Sequence, residues 1–102
     1  MDMQEFRSQI NQIDEQLVRL FDARMKVALE IGKYKKANSL PVYDAAREQA
    51  VLERQMAAVE PEMAPYVRQF YLKLFELSKE YQQQTMQQVA PVEERECRNS
   101  LV

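Results

Sequence analysis

Apolar residues recur at Met3, Phe6, Ile10, Ile13, Leu17 and Leu20, and again at Val27, Ile31 and Tyr34, in alternating steps of three and four. That spacing keeps one face of an α-helix apolar over many turns, as in a coiled-coil-like rod. It predicts a first helix from about residue 5 to about residue 37, roughly 50 Å long at the standard rise per residue. A chain of 102 residues has too little remaining helix to cover such a stripe, and a domain this short buries only a modest fraction of its surface. Pairing with a second copy is the economical solution, so a homodimer is expected.

Asn38, Ser39 and Pro41 interrupt the stripe, because proline cannot continue a helix and disfavours helical angles in the residue before it. Asp44 is a good N-cap for a second helix over roughly residues 45 to 58, with Val51, Leu52 and Met56 as its apolar positions. Pro61 and Pro65 are expected to end it. A third helix is predicted from Tyr66 through Val67, Phe70, Tyr71, Leu74, Phe75, Leu77 and Tyr81, fading in the Gln-rich stretch near residue 88. One glycine and four prolines in the whole chain leave little material for turns or strands. The fold class is therefore all-α, with three helices per chain. Residues 1–90 are expected to form one helical domain, and residues 91–102 a polar tail without fixed structure.

The inventory also excludes chemistries. The chain has no histidine, and its single cysteine, Cys97, lies in the polar tail. A Cys/His zinc site, a disulfide framework and a nucleophile activated by imidazole are all beyond it. The net charge is −2 and the sequence pI about 5.2, whereas nucleic-acid binders carry a basic excess, so no nucleic-acid partner is expected. No apolar run is long enough to span a bilayer, and the first residues are acidic and polar. No membrane partner is expected, and a cytoplasmic protein is.

Several polar residues break the apolar pattern. Counting on from Leu20 lands on Arg24, which places a guanidinium in the seam. It needs a carboxylate, a route to water for its head group, or an anionic ligand. Lys35 lies eleven residues on, three turns and about 16 Å along the same face, a gap that two long cationic side chains can close around a small ligand. Arg7 lies seventeen residues before Arg24, about 25 Å along the rod. It is either a solvated first-turn residue or a contribution to the other site of an antiparallel dimer. Asp44, Arg47 and Glu48 stand where the loop enters the second helix, as surface charges or as part of a site. In the third helix Ser78 and Gln82, at i, i+4 spacing, share one face. Serine in a seam can also simply bond to its own backbone. Gly32 suits close helix packing. Taken together these groups describe one pocket: two or three cations, a carboxylate, a hydroxyl and an amide on three helices. Such a pocket suits a small dianion and a reaction without proton transfer.

With those residues in place, the sequence over roughly residues 5 to 86 resembles the all-helical chorismate mutases of bacterial, dimeric type. The pattern reads as Arg7, Ile13-Asp14 with Leu17, Arg24 and Lys35, then Pro41, Val42, Asp44, Arg47 and Glu48, then Ser78 and Gln82. The resemblance implies an intertwined helical homodimer that rearranges chorismate to prephenate by a sigmatropic shift, with no cofactor, no metal and no covalent intermediate. It implies that Arg24 and, from the partner chain, Arg7 hold the substrate carboxylates. Lys35 and Gln82 are then the catalytic donors to the ether oxygen. Glu48, with the backbone near Asp44, holds the ring hydroxyl, and Arg47 and Ser78 complete the lining. An isochorismate-pyruvate lyase with a similar cationic helical pocket is the nearest alternative. A non-catalytic helical dimerisation or regulatory module is the other.

Overall fold

The computed structural model describes residues 2–87, and within them the chain is three helices, α1 (Met3–Ala37), α2 (Ala45–Met56) and α3 (Ala64–Gln87). The predicted polar tail and Cys97 lie outside the described residues. Among those described, no helix is long and apolar enough to cross a membrane.

Local chemistry sets the ends of α1. The Asp2 carboxylate accepts from the Glu5 backbone N–H at 2.9 Å, and the Glu5 carboxylate accepts from the Asp2 N–H at 3.2 Å, a reciprocal capping box. At the other end Ser39 takes φ 56°, which lets the Leu40 N–H reach the Lys35 carbonyl at 2.8 Å and the Ser39 N–H reach the Lys36 carbonyl at 3.2 Å. These two bonds close the helix as a left-handed C-cap normally does, with serine in the position usually given to glycine. The chain then turns through Pro41 to Asp44, whose carboxylate accepts from the Arg47 N–H at 3.0 Å and caps α2. Asp44→Ala is expected to remove about 1 kcal/mol of stability. In a small domain that is a fall of about 4–8 °C in melting temperature, and an unchanged melting curve would show that the cap contributes nothing.

The two later prolines act differently from expectation. Helix α2 ends at Met56, before Pro61 is reached, and Pro65 stands inside the first turn of α3. A first-turn N–H has no acceptor within the helix, so its loss there costs nothing.

Helix α3 is central and packs against both α1 and α2, which do not pack against each other. The core is small: Leu29 of α1, Leu52 of α2, and Leu74 and Phe75 of α3, with Gly32 at the α1–α3 crossing. Val27, Ile31 and Tyr34, expected in the seam of α1, are exposed in the single chain. The face that meets α3 is centred instead on Leu29 and Gly32, nearly half a turn round the helix at 3.6 residues per turn. Further back, Met3, Phe6, Ile10, Ile13, Leu17 and Leu20 remain between 47 % and 68 % exposed, so half of the rod has no cover within its own chain. The molecule is accordingly flat and long, 54 × 34 × 16 Å, with a radius of gyration of 17.4 Å. A self-contained domain of about 100 residues has about 13 Å.

Candidate functional site: a cationic cleft between three helices

All three helices meet around one cleft of about 300 Å³, at the lower end of the range that small ligands occupy. Helix α1 contributes Arg24, Val27, Ala28, Ile31 and Lys35, and the loop contributes Val42 and Asp44. Arg47, Glu48 and Val51 come from α2, and Phe75, Ser78, Lys79 and Gln82 from α3. Seven of the eight residues singled out in the sequence therefore line a single space. The eighth, Arg7, stands nearly five turns back along α1 from Arg24 and does not reach the cleft of its own chain. Val27 and Ile31, exposed when judged as core, form part of the cleft's apolar wall.

Arg24 sits at the border between the exposed stripe of α1 and the face packed on α3. Its Nη1 donates to Ser78 Oγ at 3.5 Å, and its guanidinium lies 5.8 Å from the ring centroids of both Tyr71 and Phe75. Aromatic faces stabilise and orient a cation at that range. Among the described residues no carboxylate pairs with it, and Arg24 is half-buried, so its head group keeps a route to water. Lys35 is likewise without an ion pair, and its Nζ donates to the Val42 carbonyl at 3.1 Å. That bond ties the ammonium to the loop, leaving two of its three N–H groups for other acceptors. Arg47 is the third cation on the cleft without a carboxylate partner among the described residues.

The polar groups of α3 are held from behind. Ser78, 7 % exposed, donates to the Leu74 carbonyl one turn back at 2.8 Å and accepts from Arg24, so the backbone bond and the site contact coexist. Gln82, 8 % exposed, donates from Nε2 to the Ala28 carbonyl at 2.5 Å. One amide hydrogen is thus fixed on α1 and the second is left over. Gly32 is what allows this approach. A Cβ at that position would stand 3.2 Å from Cγ, Cδ and Nε2 of Gln82, closer than ordinary van der Waals contact. Gly32→Ala is therefore expected to displace the Gln82 amide by a few tenths of an ångström. If Gln82 acts as a donor to a reacting ligand, that shift is expected to lower activity by about tenfold, since small misplacements of such a group are expensive. Turnover at the wild-type rate would show that Gln82 needs no such register.

Sequence reasoning missed Lys79. Its Nζ lies 3.0 Å from Glu48 Oε2 and 4.4 Å from the centroid of the Tyr43 ring, at the mouth of the cleft. A signal existed, for Phe75, Lys79 and Gln82 are spaced by four and three and so share one helix face.

The arrangement can bind a small anion through several cations at once and present N–H donors to a group that gains negative charge. Among the described residues no group of acidic, cysteine or histidine side chains is placed to hold a metal ion.

Comparison with known proteins agrees with this chemistry. A family profile described as chorismate mutase type II matches residues 6–83. The chain is 42 % identical over 53 residues to a bifunctional chorismate mutase/prephenate dehydratase of Buchnera aphidicola, and 36 % identical over 53 residues to one of Aquifex aeolicus. It is 33 % identical over 58 residues to the T-protein of Haemophilus influenzae. These matches take in 52 % to 57 % of this chain but only 14 % to 15 % of each relative. No solved structure matches it.

Proposed function

The chain belongs to the chorismate mutase type II family, and from that premise we propose that it rearranges chorismate to prephenate in a cleft shared between two copies of the chain. The observation that carries the proposal is the cluster of Arg24, Lys35 and Arg47 around one cleft, none of them paired with a carboxylate among the described residues. Arg24 and Lys35 are half-buried and Arg47 is exposed, yet three like charges gathered around one concave space repel one another; an anionic ligand relieves that repulsion, and chorismate is a dicarboxylate.

The rearrangement breaks a carbon–oxygen bond while forming a carbon–carbon bond within one molecule. The protein must hold the substrate in its compact form and stabilise charge growing on the ether oxygen. Arg24, steadied by Tyr71, Phe75 and Ser78, holds one carboxylate through its planar fork of donors. Lys35, fixed by the Val42 carbonyl, and the remaining amide hydrogen of Gln82 donate to the ether oxygen. Glu48 accepts from the ring hydroxyl beside the Asp44 backbone, and Arg47 extends the positive lining. None of these roles needs a cofactor or a group that gives up a proton.

The second copy enters through α1. An apolar groove lined by Leu17, Leu20, Phe21, Phe70, Tyr71 and Leu74 runs up to Arg24, and the stripe from Met3 to Leu20 is uncovered. If two α1 helices pair antiparallel about a two-fold axis beside residues 15 and 16, positions 7 and 24 are equally far from that axis. Arg7 of the partner subunit then lies beside Arg24 and supplies the second carboxylate clamp. A cytoplasmic setting is part of the same proposal.

Parallel incubations with chorismate and isochorismate test the reaction. Prephenate is expected from the first and no salicylate from the second, and a bicyclic diacid shaped like the transition state is expected to raise the melting temperature. Salicylate from isochorismate without prephenate from chorismate would overturn the assignment in favour of the lyase. Absence of both products and of any thermal shift would leave a helical module without this chemistry.

A further inference from the structure

We infer that Lys79 is a positioning residue for Glu48, holding that carboxylate in the cleft wall and cancelling its repulsion of an anionic substrate. The inference rests on the functional reading above and extends it to a residue outside the sequence pattern that suggested the reaction.

A carboxylate facing a pocket built for a dianion presents a difficulty. Glu48 lines the same cleft as Arg24, Lys35 and Arg47, and an unneutralised negative charge there opposes substrate entry over the several ångströms that separate them. Lys79 sits where it removes that opposition, with Nζ 3.0 Å from Glu48 Oε2. One oxygen of Glu48 is thereby engaged, and the other is left to accept from a ring hydroxyl. The pair joins α2 to α3 directly, so it also fixes the distance between the elements that carry Glu48 and Gln82.

Tyr43 completes the arrangement. Its ring lies 4.4 Å from the Lys79 ammonium, close enough for the ring face to hold the cation. Lys79 is therefore restrained from two sides, by the α2 carboxylate and by an aromatic ring of the loop that also carries Val42. Its side chain is 38 % exposed and that of Glu48 25 %. The pair is thus partly desolvated at the mouth of the cleft, where charge balance acts on an entering substrate.

Steady-state kinetics of the full chain on chorismate, with a double-mutant cycle between Lys79→Met and Glu48→Gln, test the inference. Lys79→Met is expected to raise KM about tenfold with kcat within about threefold of wild type, the signature of lost binding shared by ground and transition states. Lys79→Arg, which keeps the charge, is expected to restore KM to within about threefold. In the Glu48→Gln background the same lysine substitution is expected to cost less than about twofold, because coupled residues lose their interaction only once. Melting curves of all variants near that of the wild type separate this outcome from misfolding. An equal loss in both backgrounds, or no loss from Lys79→Met, would overturn the role of Lys79 while leaving the reaction assignment in place. A wild-type chain without chorismate turnover would overturn both.

Discussion

Lys35→Ala is expected to lower kcat by about 10²–10³-fold, the usual cost of removing one preorganised donor from a site of growing negative charge. Two features make the expectation specific. The Lys35 ammonium is already fixed by the Val42 carbonyl at 3.1 Å, so no reorganisation is needed when charge develops. It is also without a carboxylate partner among the described residues, so its field is not spent within the protein. KM is expected to change by less than about threefold, because the donor acts mainly on an oxygen that is neutral in the ground state. The fold should survive, since the hydrogen bond from Lys35 to the Val42 carbonyl is exposed. Near-normal turnover in this variant would remove Lys35 from the chemistry.

The second large effect comes from the two arginines together. Arg7→Ala and Arg24→Ala are each expected to reduce kcat/KM by about 10²-fold or more, because truncating one partner of a desolvated charge pair costs several kcal/mol. Chains carrying the two substitutions separately, denatured and refolded together, are expected to recover about a quarter of wild-type activity. Random pairing makes about half the dimers mixed, and in a two-fold dimer a mixed pair has one intact cleft and one doubly damaged cleft. Arg24→Ala also loses the contacts to Tyr71, Phe75 and Ser78, so its melting temperature must be followed alongside. Failure of the mixture to exceed its components, with both variants folded and mixed dimers present, would place Arg7 outside the shared site.

Much of this architecture was legible in the sequence because its signals are periodic or positional. A stripe repeating every three and four residues describes a helix whatever it packs against, and an aspartate before an apolar-periodic segment describes a cap, so α1 and the start of α2 fall close to expectation. The resemblance suggested roles for Arg24, Lys35, Arg47, Glu48, Ser78 and Gln82, and what the structure adds is that all six side chains line one cleft. What the sequence concealed depends on partners in space. Periodicity cannot tell a face covered by α3 from one left bare. Val27 and Ile31 accordingly read as core but line the cleft; Leu29 was not identified, and Gly32, read as a helix-packing residue, had no partner named for it. Pro65 read as a helix breaker because its offset from the helix start, which decides whether its missing N–H matters, depends on a start that carries no cap residue. Gly32 and Lys79 take their meaning from Gln82 and Glu48, fifty and thirty-one positions away, and no local pattern links such pairs.

The most direct measurement follows the loss of chorismate absorbance with the purified chain at neutral pH in EDTA, with the product identified as prephenate. Rapid turnover is expected, undiminished by the chelator, because in the proposed mechanism Arg24, Lys35 and Gln82 supply the charge stabilisation. No turnover by the purified chain, or turnover that vanishes in EDTA and returns with a divalent metal, would contradict the account.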